Sequence, residues 1–271
     1  MLSSYLNLFP GAKVKEGYSG KLILPILRPG RVNKRTNVAG LVFRLVEELR
    51  KKWKNTMIVI RGDSMFCSHE VMTWAAQQDK VRFITGLSGN QKLNQLASNL
   101  ISEVKAEYAK TKKDVRRYQE FQYKASSWTH EERVIVKVEH NAQGLNVRYI
   151  VTNFKDRNPR RLYEKKYCKR GDCELYIKEM KNGVYADRMS CHKFSANQFR
   201  LYLSALAYIL LQDVRHKMLR KSSLKASTLI TLRNKIIFSP VKVTEQKTQI
   251  RVEFQPKHPK RGWIHWNLKV A

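Results

Sequence analysis

Ile58-Val-Ile-Arg-Gly-Asp63-Ser-Met-Phe-Cys67 decides how this chain is read. Ile58, Val59 and Ile60, with Met57 ahead of them, form a β-branched run of the kind that is buried on both faces of a parallel sheet. Gly62 permits a tight turn straight after the strand, and Asp63 follows it. In open α/β sheets the carboxyl ends of strands are where ligands bind, so Asp63 is a candidate for chemistry. Its other reading, a turn residue capping the helix that follows, stays open on these residues alone.

The pattern outward from this stretch is strand, helix, strand, helix. Before it, Lys21–Leu27 is a short apolar run, and Pro25 inside it marks an edge strand or a bulge. Residues 37–52 carry Val38, Leu41, Val42, Leu45, Val46 and Leu49 at helical spacing. After it, Ser68–Gln77 reads as helix, Val81–Thr85 as strand, Gly86–Asn90 as loop and Leu93–Tyr108 as helix. This order predicts an α/β core with parallel strands. Residues 118–152 change character: Phe121–Tyr123, Arg133–Val138 and Asn146–Val151 alternate polar and apolar residues around a turn at Asn141–Gly144, an antiparallel pattern. Helices resume at Arg161–Lys181 and Ala196–Leu219, and residues 228–267 read mostly as strands and turns.

Tyr167-Cys-Lys-Arg-Gly-Asp-Cys-Glu-Leu-Tyr-Ile-Lys-Glu-Met-Lys181 is the second informative stretch. On a continuous α-helix Tyr167, Arg170, Glu174 and Lys181 fall within about one sixth of a turn, and Lys178 joins them. One carboxylate among cations and a phenol suits a metal ion and a polyanion. A solvated charged face is the plainer alternative. Cys173, Tyr176, Ile177 and Met180 form the neighbouring, buried-looking side.

Three stretches together carry a resemblance. Tyr-x2-Arg-x3-Glu-x6-Lys at Tyr167–Lys181 is similar to the signature around the last catalytic acid of bacterial insertion-sequence transposases of the DDE class. The Ile58–Cys67 stretch resembles the family's segment for the second acid, and Ser195–Leu210 resembles the helix after the last acid. The likeness runs from about Gly17 to Arg220.

The resemblance implies a ribonuclease-H-like catalytic core. It divides the chain into an irregular start (1–17), a first part of the core (18–117), a β-rich insertion (118–152), core helices carrying the last acid (153–220) and a β-rich basic tail (221–271). It implies DNA transposition: metal-dependent phosphodiester cleavage and strand transfer at insertion-sequence ends. Asp63 and Glu174 would be catalytic and hold Mg²⁺ or Mn²⁺, since hard cations want oxygen ligands. Tyr167, Arg170, Lys178 and Lys181 would contact DNA. The partners would be double-stranded transposon ends and target, with room for a homo-oligomer on DNA, and the place the bacterial cytoplasm and nucleoid. The family also needs an acid on the first strand of its sheet. The first acid here is Glu16, outside any apolar run. The expectation is therefore a copy truncated at its start, with the first strand missing and its neighbour an exposed edge. A non-catalytic basic DNA-binding protein and an inactive remnant are the alternatives.

Composition agrees with a polyanion as partner. The chain has 271 residues, 42% of them hydrophobic, and a net charge of +31. Such a surplus repels itself unless phosphate neutralises it. The cations gather in residues 13–54 and from Arg215 onward, where Glu245 and Glu253 are the only acids. Cys67, Cys168, Cys173 and Cys191 are too scattered for a disulfide framework, and with His192 they fit no common zinc spacing. Leu201–Leu211 is too short to span a bilayer. Trp263 and Trp266 among Lys257, Lys260 and Arg261 read as a strand pair burying two tryptophans, with DNA contact as the alternative.

Overall fold

The computed structural model describes residues 2–9, 11–16, 22–27, 38–238, 240–247 and 250–254. They form two compact units, Met1–Tyr176 and Ile177–Ala271.

The first unit opens with β1 (Leu2–Phe9), β2 (Gly11–Glu16) and β3 (Leu22–Ile26), an antiparallel sheet in that order. The start of the chain, expected to be irregular and to lack a strand, holds two strands. β1 also runs close to β4 (Ile58–Gly62). β3 is the outer strand of its sheet, which suits Pro25, a residue with no N–H for a ladder.

The main sheet has five strands in the order β4-β5-β8-β7-β6. β5 is Val81–Leu87, β6 Val115–Tyr123, β7 Glu132–Asn141 and β8 Gly144–Thr152. β4 and β5 are parallel, and every other pairing is antiparallel. The sheet is therefore mixed rather than parallel. The stretch set apart on sequence grounds as an insertion is continuous with the core. β8 pairs directly with β5, Ile84 opposite Thr152 and Gly86 opposite Ile150. Alternation alone shows that strands pair antiparallel with one another. It does not show that their last member pairs with an earlier strand.

One face of this sheet is apolar. Ile58, Ile60, Phe83, Val134, Val136, Val138 and Val151 form one buried cluster with residues of α1 (Val38–Lys52), α2 (His69–Gln77), α3 (Gln91–Leu96) and α4 (Ser98–Thr111). In α1 Val42 and Val46 of the expected stripe are buried, Leu41, Leu45 and Leu49 are half-buried, and Ala39, outside that stripe, is buried as well. Arg50 in its last turn donates to the carbonyls of Thr56, Asp79 and Lys80 and so ties together the approaches to β4 and β5. The expected helix over residues 93–108 is two helices broken at Ala97. Asn90 caps the first, its Oδ1 accepting from the Leu93 N–H at 2.9 Å.

The opposite face holds a smaller cluster: Val59, Ile84, Ile135 and Ile150 under Leu162 and Tyr163. Leu162 and Tyr163 arrive on a helical segment that begins with α5 (Pro159–Arg161), capped by Asn158. It widens into a π turn over Leu162–Tyr167, tightens to 3₁₀ over Cys168–Arg170, and continues as α6 (Gly171–Val184). The boundary between the two units falls inside α6.

In the second unit α7 spans Phe194–Asp213 and runs on into a π turn, Val214–Met218. The region from Thr228, expected to be strand, starts helical. Thr228 caps α8 (Leu229–Leu232), whose two ends are buried, and a π turn follows to Ile237. Gly183 has no room for a side chain, because a Cβ there would lie 2.7 Å from the Leu229 Cβ. β9 (Val241–Glu245) and β10 (Ile250–Phe254) form a separate antiparallel pair. Trp263 and Trp266 lie outside the described residues. Among those described, no helix is long and apolar enough to cross a membrane.

Candidate active site

Asp63 leaves the carboxyl end of β4 into a 3₁₀ turn, Ser64–Phe66, in which the Phe66 N–H donates to the Asp63 carbonyl at 3.1 Å. The turn folds the buried Phe66 ring back over Gly62, where a Cβ would lie 2.5 Å from the ring. Glycine is therefore required beside Asp63 for packing, beyond the tight turn expected of it.

Asp63 lines a polar cavity of about 270 Å³. Its walls are Ser64, the end of β5 and the following loop (Gly86, Leu87, Ser88 and Gly89), Val147, Arg148 and Tyr149 of β8, and Tyr163, Tyr167 and Arg170 from the helical segment. The Tyr167 hydroxyl presses on the β5 backbone: a Cβ at Gly86 would meet it at 2.9 Å and the Ser64 amide nitrogen at 3.0 Å. Burial raises the Tyr167 pKa first of all. Arg170 works against that rise and Asp63 adds to it. The phenol thus keeps its proton at neutral pH and is a hydrogen-bond donor.

Of the residues singled out in the sequence, the structure brings Asp63, Tyr167 and Arg170 to this cavity. Glu174 is attached through Arg170, whose Nη1 donates to Glu174 Oε1 at 2.6 Å. The Arg170 guanidinium also stands 6.0 Å from the Tyr167 ring centroid. Glu174 itself is not in the wall, and its side chain is 56% exposed. Lys178 and Lys181 lie farther along α6, one and two turns beyond Glu174.

The single-helix stripe needs correction. The Cys168 N–H bonds back to the Tyr163 carbonyl, a five-residue step. This wide turn sets both Leu162 and Tyr163 on the sheet, and the 3₁₀ turn over Cys168–Arg170 then breaks the α spacing between Tyr167 and Glu174. Tyr167 faces inward while Glu174 faces out. The side chains of Asp172 and Cys173 lie outside the described residues, as does the expected core role of Cys173. Cys67, Cys168 and Cys191 are not in disulfides, and burial raises the Cys168 pKa.

The donors suit a hard divalent cation in kind, since carboxylate oxygens are what Mg²⁺ and Mn²⁺ take. Among the described residues no group of three His, Cys, Asp or Glu side chains converges. Mg²⁺ is commonly held by one or two carboxylates, with waters and substrate phosphates completing its shell. Asp63 supplies one such carboxylate at the cavity wall, and Glu174 is paired with Arg170.

Sequence reasoning missed Arg148, Tyr149 and Tyr163 as wall residues. The first two sit on a strand assigned to an insertion, and only the β5–β8 pairing brings them to Asp63. Arg61 was missed too. It is buried to 1% exposure on β4, and its Nη1 donates to the Lys166 carbonyl at 2.9 Å, fastening the helical segment to the strand that carries Asp63.

The sequence profile of a family described as "Transposase DDE domain group 1" matches residues 6–269. Among solved structures, one described as "Cryo-EM structure of piggyBac transposase synaptic complex with hairpin DNA (SNHP)" is similar, with 13% identity and a TM-score of 0.48. The match covers 83% of this chain and 44% of that one, so the chain spans less than half of that protein's length. No curated protein matches the sequence.

Proposed function

The chain belongs to the transposase DDE domain group 1 family, and from that premise we propose that it acts on DNA as a transposase, cleaving phosphodiester bonds and transferring strands at insertion-sequence ends through a ribonuclease-H-like core. One observation supports the reading: Asp63 and the Tyr167–Arg170 pair, about a hundred residues apart, share one polar cavity, and Arg170 is paired with Glu174.

In this reading Asp63 and Glu174 hold a divalent cation. Bound there, it would activate water or a DNA 3′-hydroxyl and stabilise the leaving oxygen. The Arg170 guanidinium grips a phosphate by its planar fork, exchanging the Glu174 carboxylate for the incoming anion. Tyr167, protonated, donates to a phosphate oxygen. Lys178 and Lys181 serve as point charges along the flanking backbone.

The test is nicking of supercoiled plasmid by the purified chain with Mg²⁺. Asp63→Asn and Glu174→Gln should each lower the rate by about 100-fold or more, as expected when a reacting geometry is lost. A second reading, a non-catalytic DNA-binding protein, is favoured by the Arg170–Glu174 ion pair, which occupies one of the two acids. It wins if the chain binds DNA and neither substitution changes any Mg²⁺-dependent product.

A further inference from the structure

On the face of the sheet away from α1–α4, Arg148 of β8 stands directly opposite Lys137 of β7, and Lys137 stands opposite Tyr118 of β6. One step along, Arg116 of β6 stands opposite Glu139 of β7. Like charges placed directly opposite each other weaken a strand pair, so the Arg148–Lys137 juxtaposition calls for an anion. Lys137 has one within the fold: its Nζ lies 2.7 Å from Glu139 Oε2, and the same carboxylate accepts from Arg116 Nε at 2.7 Å. Arg148 differs. Its Nε donates to Asn146 Oδ1 at 3.1 Å, and among the described residues no carboxylate pairs with it. It is exposed, and it lines the cavity that holds Asp63 and Arg170.

We propose that Arg148, backed by Lys137 and Arg116, binds the phosphate backbone of a nucleic-acid strand where it leaves the cavity. The cations follow the strand spacing of roughly 4.8 Å from the cavity wall outward across β8, β7 and β6. Tyr163 and Tyr118 lie beside them with ring centroids 5.5 Å apart. Helix α4, on the opposite side of the sheet, carries Lys105 and Lys110 exposed and serves as the built-in control.

This assignment rests on the reading of the chain as a DNA-acting protein. Its test is binding of the full chain to a labelled double-stranded oligonucleotide of mixed sequence, followed by fluorescence anisotropy across a salt series. The slope of log affinity against log salt should become shallower by about 0.9 for Arg148→Gln and by about 1.8 for Arg148→Gln with Arg116→Gln. Arg148→Lys, which keeps the charge, should restore the wild-type slope, and Lys105→Gln with Lys110→Gln should leave it unchanged. Wild-type binding with no slope change in Arg148→Gln overturns the proposal alone, as does an equal loss from the α4 pair. No binding by the wild-type chain at low salt overturns the DNA-acting reading and this proposal with it.

Discussion

On the helix-covered face of the main sheet, Ile60, Phe83, Val136 and Val151 are at most 2% exposed. On the other face the same strands carry Arg61, Lys137 and Arg148, one residue out of phase. The first face follows the rule for a core: apolar side chains with helices laid over them. The second buries apolar groups only at its centre, under Leu162 and Tyr163, and leaves charged side chains around that centre. Burying a charge without a partner is costly, so Lys137, mostly buried, is paired with Glu139, while Arg148 is left to solvent. Core packing and charge are thus divided between alternate positions of single strands.

The largest test of this division is Phe83→Ala. It should lower unfolding free energy by about 3–5 kcal/mol in a urea titration, while Arg148→Gln on the open face should stay within about 0.5 kcal/mol. A comparable loss from both would end the distinction. Arg61 is the most buried cation on this second face. Arg61→Met should cost about 1.5–3 kcal/mol, because the Lys166 carbonyl loses a charged donor.

Gly86→Ala probes the point where the two faces meet the cavity. Its methyl group would sit within 3 Å of the Tyr167 hydroxyl and the Ser64 amide, so a loss of about 1–3 kcal/mol is expected. Combining it with Tyr167→Phe should cost less than the sum of the two. Thr85→Val on the apolar face should have the opposite sign. The Thr85 hydroxyl is buried with no hydrogen-bond partner among the described residues, and removing it should raise stability by about 1 kcal/mol, read as a higher urea midpoint.

The smallest effect concerns pH. The His69 ring accepts the Thr129 N–H at Nε2, 3.0 Å away, which requires that nitrogen to be unprotonated. Burial, and then the nearby His130, lower its pKa below 6.5. His130 in turn meets Glu132, whose own pKa burial raises. For His69 the unfolded chain takes up protons first. Its contribution is therefore complete above about pH 6.5 and is lost as pH falls below that value. The urea midpoint should decline from pH 7.5 to 5.5, and His69→Gln should flatten that decline.

Local pattern made much of this legible. The run Ile58–Ile60, the α1 stripe and the alternation of residues 133–151 each specify an element from neighbouring residues. Asp63 was singled out because it follows a strand, and Arg170 and Glu174 because of their spacing. Non-local facts were hidden. Nothing around Thr152 says that it will pair with Ile84, and so nothing marks Arg148 as a neighbour of Asp63. The π turn at Leu162–Tyr167 was hidden too, since it answers to the shape of the sheet beneath Tyr163 rather than to the residues of the turn.

The β5–β8 pairing also sets a clock. Ile84 must wait for Thr152, made 68 residues later. At the usual ribosomal pace of 5–20 residues per second this is roughly 3–14 s. Through that interval β5 has one edge against β4 and the other unpaired, beside a half-made cavity. The growing chain is then most open to pairing with a wrong strand. Slowing synthesis between residues 87 and 144 should lower the soluble yield more than an equal delay after Thr152.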